Sequence, residues 1–92
     1  MDISTCNNRE EFLNALLQHG GEYSPEEFKE MIATALRLGI SNIKIAESVD
    51  ASAGAVNRWA IGRSCPYPVI RTLVAEKIVE TLKLSLNPSR TA

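Results

Sequence analysis

The side chains in this 92-residue chain best equipped for chemistry are Asn57, Arg58, Arg63 and Lys44, and the chemistry they offer is hydrogen bonding and charge. An arginine carries a rigid fork of donors, an asparagine one donor and one acceptor group in a plane, and a lysine a mobile point charge. The groups a catalyst needs are scattered. His19 is the single histidine, and Cys6 and Cys65 are isolated thiols outside any CxxC spacing. Glu26, Glu27 and Glu30 read as an acidic first turn and a wet helix face, not as an acid–base pair. There is no glycine-rich phosphate loop. The chain therefore predicts no catalytic residue, no metal site and no cofactor. His19, just before Gly20 and Gly21, reads as a complement to a helix C-terminus. Cys65 reads as a small loop filler.

Composition sets the frame. Hydrophobic residues make up 45% and charged residues 23%, which is ordinary for one globular domain over 1–92. Aromatics are only 5%, so the core must be mainly aliphatic. No run approaches the roughly 20 apolar residues that span a bilayer, and "MDISTCNNREEF" lacks the basic and apolar regions of a signal peptide. Two unpaired cysteines then fit a reducing cytoplasm and free thiols. Net charge is −1, but it is unevenly spread: residues 1–40 hold three basic and seven acidic side chains, and residues 41–92 hold seven basic and four acidic. Such a split offers one face that could meet phosphates.

Capping residues and glycines divide the chain into helices. Asn7 or Asn8 caps a first helix ending near residue 19, with Phe12, Leu13, Leu16 and Leu17 on one stripe. Ser24, Pro25 and Glu27 form a capping box with proline at the first helical position. They open a second helix that buries Phe28, Met31, Ile32, Ala35, Leu36 and Leu38 and stops at Gly39. Ser41 caps a short helix through Ile43, Ile45, Ala46 and Val49. Ser52 caps another through Ala55, Val56 and Trp59, ending at Gly62. The last helix, about 67–84, begins at Pro66 and Pro68 and carries Val69, Ile70, Leu73, Val74, Ile78 and Leu82. Pro88 limits its continuation, and the tail "NPSRTA" is expected to fray. No segment alternates as a half-buried strand does. The expected fold is all-α, a compact bundle of about five helices.

The two short helices meet at a tight corner, the layout of a helix-turn-helix over 42–62. Ala46 is small enough to allow a close crossing. Val56 and Trp59, three apart, share the inward face of the second short helix. Ser52, Ala53, Gly54, Asn57, Arg58 and Ile61 are left outward or at its edges, a set that suits a groove better than a core.

On "IAESV", the Ser52 cap, "VNRW" and Gly62, the segment Asn42–Gly62 resembles the Cro and phage-repressor (Xre-like) helix-turn-helix, and the likeness is clearest over about Ser24–Leu84. The resemblance implies a lambda-repressor-like bundle that binds operator DNA, usually as a dimer, with the second motif helix in the major groove. It implies base-facing roles for Ser52, Ala53, Gly54, Asn57 and Arg58, and phosphate-facing roles for Asn42, Lys44 and Arg63; Arg71 joins them as a phosphate candidate from its charge. The first forty residues add a helix, about 8–19, that the family pattern does not account for. Asp50 stands where the family usually has glycine, at a left-handed corner that aspartate tolerates better than most residues. Ala53 and Gly54 stand where long polar readers are common, and Gly54 costs roughly 1 kcal/mol of helix stability relative to alanine.

The expected function is a bacterial or phage transcriptional regulator, a repressor that binds double-stranded DNA at a palindromic site as a homodimer. Arg58 pairs with guanine and Asn57 with adenine in that reading. The dimer surface is expected at the first helix or among Leu82, Leu84 and Leu86. The alternative is a protein-interaction module on the same fold, an adaptor, anti-activator or antitoxin with a protein partner and reduced base readout.

Overall fold

The computed structural model describes residues 3–86. Over these residues it is all-helical, with five α-helices and no strand. They are α1 (Arg9–His19), α2 (Pro25–Arg37), α3 (Asn42–Glu47), α4 (Ala53–Ala60) and α5 (Pro68–Leu86), preceded by one 3-10 turn at Ile3–Thr5. The bundle measures 38 × 27 × 22 Å. α1 packs chiefly on α5, while α4 packs on α2 and α3. Pro88 and the tail lie outside the described residues.

The helix boundaries follow from local hydrogen bonds. The Asn8 side chain accepts from Glu11 N, and Glu11 in turn accepts from Asn7 N. At α2, Ser24 Oγ accepts from Glu27 N while Glu27 Oε1 accepts from Ser24 N, so the capping box is complete. The end of α2 is a Schellman turn. Ile40 N donates to Ala35 O and Gly39 N to Leu36 O, with Gly39 at φ 92°, where a side chain would be strained. The last helix starts at Pro68, two residues after Pro66, and extends to Leu86.

One core joins all the elements. Phe12, Phe28, Met31, Ile32, Val56, Val74, Ile78 and Leu82 are fully enclosed, and Trp59 meets Phe28 edge to face with ring centroids 5.5 Å apart. The segment before α1 contributes more than expected. Ile3 and Cys6 are buried; Thr34 donates to Ile3 O, and Arg37 Nη2 donates to Cys6 O at 2.6 Å. Tyr23 is also buried, with its ring stacked on His19 at 4.0 Å. Both cysteines are free thiols.

Several expected core positions are corrected. Leu17 is exposed, because α1 turns Phe12, Ala15 and Leu16 into the core and Leu17 falls outside that face. Leu13, Leu36, Leu38 and Val49 are half-buried at the margin of the core, and Ile43 is exposed. Val69 and Leu73 face outward, since α5 packs through Val74, Ala75, Ile78 and Leu82.

Candidate nucleic-acid interface

The corner between α3 and α4 is built from backbone. Val49 N and Ala51 N both donate to Ala46 O, the latter at 2.9 Å, so the chain folds back over a buried alanine. Asp50 sits between them at φ 56° and is the one described non-glycine residue with positive φ. The corner is thus left-handed, with an aspartate at its turn. Ser52 Oγ then accepts from Ala55 N at 3.0 Å and starts α4. Val56 and Trp59 anchor the inner side of α4 in the core.

The outer side of α4 is polar and open. Ser52, Gly54, Asn57 and Arg58 are exposed, while Ala53 is half-buried. Asn42 Nδ2 donates to Asn57 Oδ1 at 3.2 Å, which ties the start of α3 to the middle of α4. The base-facing candidate Asn57 and the phosphate-facing candidate Asn42 are therefore neighbours. Arg58 folds back along its own helix. A Cβ built on Gly54 would meet Arg58 Nη1 at 3.5 Å and Ser52 Oγ at 3.9 Å, which are ordinary contacts. Nothing among the described residues requires Gly54 to lack a side chain.

A second Schellman turn ends α4. Arg63 N donates to Arg58 O, and Gly62 N donates to Trp59 O with Gly62 at φ 80°. This fixes the backbone of Arg63, whose side chain is exposed, just past the end of α4. Lys29 lies beside the same turn, its Cδ 3.2 Å from where a Gly62 Cβ would be. The spacing of α2 gave no sign of this cation, because its position depends on how α2 meets α4.

Arg71 does not stand free as a phosphate contact. Its Nε donates to Tyr23 O at 2.7 Å, and its Nη1 donates to Pro66 O at 2.7 Å and reaches Cys65 Sγ at 3.3 Å. The guanidinium thereby ties the loop before α5 to the segment before α2. Lys44 is exposed on α3 and lines a cavity beside Arg9. The residues gathered around α4 are thus Asn42, Ser52, Ala53, Gly54, Asn57, Arg58 and Arg63, with Lys44 to one flank and Arg71 withdrawn into structure.

Among the described residues, no group of three His, Cys, Asp or Glu side chains is placed to hold a metal, and no helix is long and apolar enough to cross a membrane. Against known proteins, the chain matches no family model, no curated protein and no solved structure.

Proposed function

We propose that the protein is a sequence-specific DNA-binding regulator of the Xre-like kind, with α4 as the helix that enters the major groove. The observation that carries this reading is the α3–α4 unit: two short helices locked at a left-handed Asp50 corner, one anchored by Val56 and Trp59 and presenting Asn57 and Arg58 outward. Gly54 supports it. A mid-helix glycine is unfavourable, no internal neighbour demands it here, and a close external approach by a groove wall would. Arg58 reads guanine and Asn57 reads adenine. Asn42 and Arg63 meet phosphates on either side. Asn57 exchanges Asn42 for a base edge on binding, so their mutual hydrogen bond holds both amides ready at the surface.

A second copy belongs to this reading. Two readers per subunit specify little sequence, and a symmetric pair reads a palindrome with half-sites about one helical turn apart. Leu82 is fully enclosed and takes no part in a dimer surface, whereas Leu17, Leu84 and Leu86 at the terminal helices remain exposed. Ile61, Tyr67, Val69 and Leu73, around the α4–α5 loop, are exposed as well, with Tyr67 at 80%. This second set lies nearer α4, and large exposed apolar side chains near one another mark interaction surfaces. The placement suits a pairing that brings two α4 helices together. The cytoplasm is the compartment where such a regulator meets its operator.

The test is selection of bound duplexes from a random library, followed by anisotropy titration of the enriched and scrambled sequences at one fixed salt. The reading predicts an enriched palindrome bound at least about a thousandfold more tightly than scrambled DNA. Equal affinity for both duplexes would reject sequence-specific regulation, and absence of DNA binding would favour a protein partner.

A further inference from the structure

A cavity of about 410 Å³ lies between the start of α1, the α2–α3 connection and the end of α5, and is lined in part by Arg9, Ser41, Lys44, Thr81, Leu84 and Ser85. We propose that this cavity is an oxyanion site in which Arg9 and Lys44 take a phosphate group, either on a small phosphorylated molecule or on the DNA backbone.

Its charge is the first reason. Arg9 and Lys44 both line the cavity, and among the described residues no acidic side chain does. Arg9 is half-buried. Its Nε donates to Leu38 O at 3.0 Å and its Nη1 to Ser85 Oγ at 2.7 Å, so both partners are neutral oxygens. Among the described residues, neither Arg9 nor Lys44 makes an ion pair with a carboxylate. A partly desolvated guanidinium ordinarily gains such a partner, because burying a charge without one is unfavourable. Here two cations share one recess, and no described carboxylate pairs with either.

Pre-organisation is the second reason. The bonds to Leu38 O and Ser85 Oγ hold the guanidinium plane fixed and leave Nη2 within 3.1 Å of where a Gly39 Cβ would stand. Gly39 thus leaves room for the guanidinium as well as closing the Schellman turn. A planar fork held in place matches two phosphate oxygens, and the mobile lysine adds charge from the other wall. The Ser41 hydroxyl already accepts from Ile43 N and Lys44 N, which leaves its proton available to a phosphate oxygen. The volume lies within the 300–1,000 Å³ range typical of small-ligand sites, and Ile40 and Leu84 give it an apolar side.

The DNA source rests on the proposed function; the free-phosphate source does not. The experiment therefore has two arms, each run on wild type, Lys44→Ala, Arg9→Gln and Arg58→Ala. Lys44 is exposed, so its variant reports on the site even if Arg9→Gln weakens folding. In the first arm, melting is followed in inorganic phosphate and in chloride at equal ionic strength. Phosphate at roughly five times its Kd should raise the melting temperature of wild type and Arg58→Ala by about 4–8 °C. Lys44→Ala and Arg9→Gln should lose most of that rise. In the second arm, the salt slope of DNA binding is measured. If the backbone supplies the phosphate, Lys44→Ala and Arg9→Gln should each flatten the slope by about one unit. Either result supports the site and identifies its source. No phosphate-specific rise together with unchanged slopes would overturn it. In that case Arg58→Ala, if it still loses discrimination between duplexes, would leave the DNA-binding reading standing.

Discussion

α2 and α4 are both amphipathic helices docked on one core, yet their sequences resolve opposite demands. α2 has a complete capping box, proline at its first position, two acidic residues in its first turn and Arg37 in its last. Every local preference agrees with the helix, and five of its thirteen residues are buried. α4 has eight residues, two of them buried, a simple serine cap and a glycine in its first turn. It enters through a left-handed aspartate. Local preferences are satisfied where the helix serves the fold and relaxed where its outer face is open. That difference is what an interface helix carried on a stable frame should show.

The largest expected effect lies on the α2 side. Phe28→Ala removes a fully enclosed ring that also supports Trp59. It should cost about 3–5 kcal/mol in chemical denaturation, a large fraction of the stability of a typical small domain. A loss below about 1 kcal/mol would mean that α2 and α4 do not share one core. Next come the caps. Ser24→Ala and Ser52→Ala should each lower stability by about 1 kcal/mol, but only Ser52→Ala should also weaken binding to the preferred duplex.

Gly54→Ala separates the two helices most sharply. Its added methyl meets only ordinary contacts, so it should raise stability by about 0.5–1 kcal/mol. It should at the same time weaken DNA binding. A variant that is more stable and binds as well as wild type would show that nothing outside the chain approaches α4 at this point.

The smallest effect is at the start of α2. The Ser24 backbone N–H holds the Glu27 carboxyl below its ordinary 4.5, helped by His19 Nε2 at 3.2 Å. A lowered carboxylate stabilises the fold above its unfolded pKa and loses that contribution as pH falls through the folded value. Wild type should therefore lose stability below about pH 4.5 more steeply than Glu27→Gln. Parallel acid profiles would remove Glu27 from the capping box. The same neighbourhood, chiefly by burial and then by the Glu27 charge, pushes the Tyr23 hydroxyl above 10.0.

Much of the fold was legible because its signals are local. The Ser24 box, the serine caps of α3 and α4, the helix stops at Gly20, Gly39 and Gly62 and the left-handed Asp50 corner each depend on a few consecutive residues. Burial was less legible. α5 is apolar on more than one side, so spacing alone gave no reason to place Val69 and Leu73 outside and Val74 inside. Ile3, Cys6 and Tyr23 lie between or before the long helices, where no periodicity marks an inward face. For the candidate site, the outer face of α4 followed from the positions of Val56 and Trp59. The fates of the cations did not. Arg71 and Arg9 are held by backbone oxygens distant in sequence, at Tyr23 and Leu38, and only the assembled bundle brings those together.

The central claim is that Arg58 on α4 reads a base, and one comparison tests it most directly: the affinity of wild type and Arg58→Ala for the selected duplex and for a scrambled one, at a single salt concentration. A base contact carries discrimination and a phosphate contact does not. Arg58→Ala should lose about 1–3 kcal/mol on the selected duplex and far less on the scrambled one, with its helical content unchanged. Equal losses on both would make Arg58 a phosphate contact, and no loss on either would contradict the assignment of α4 as the reading helix.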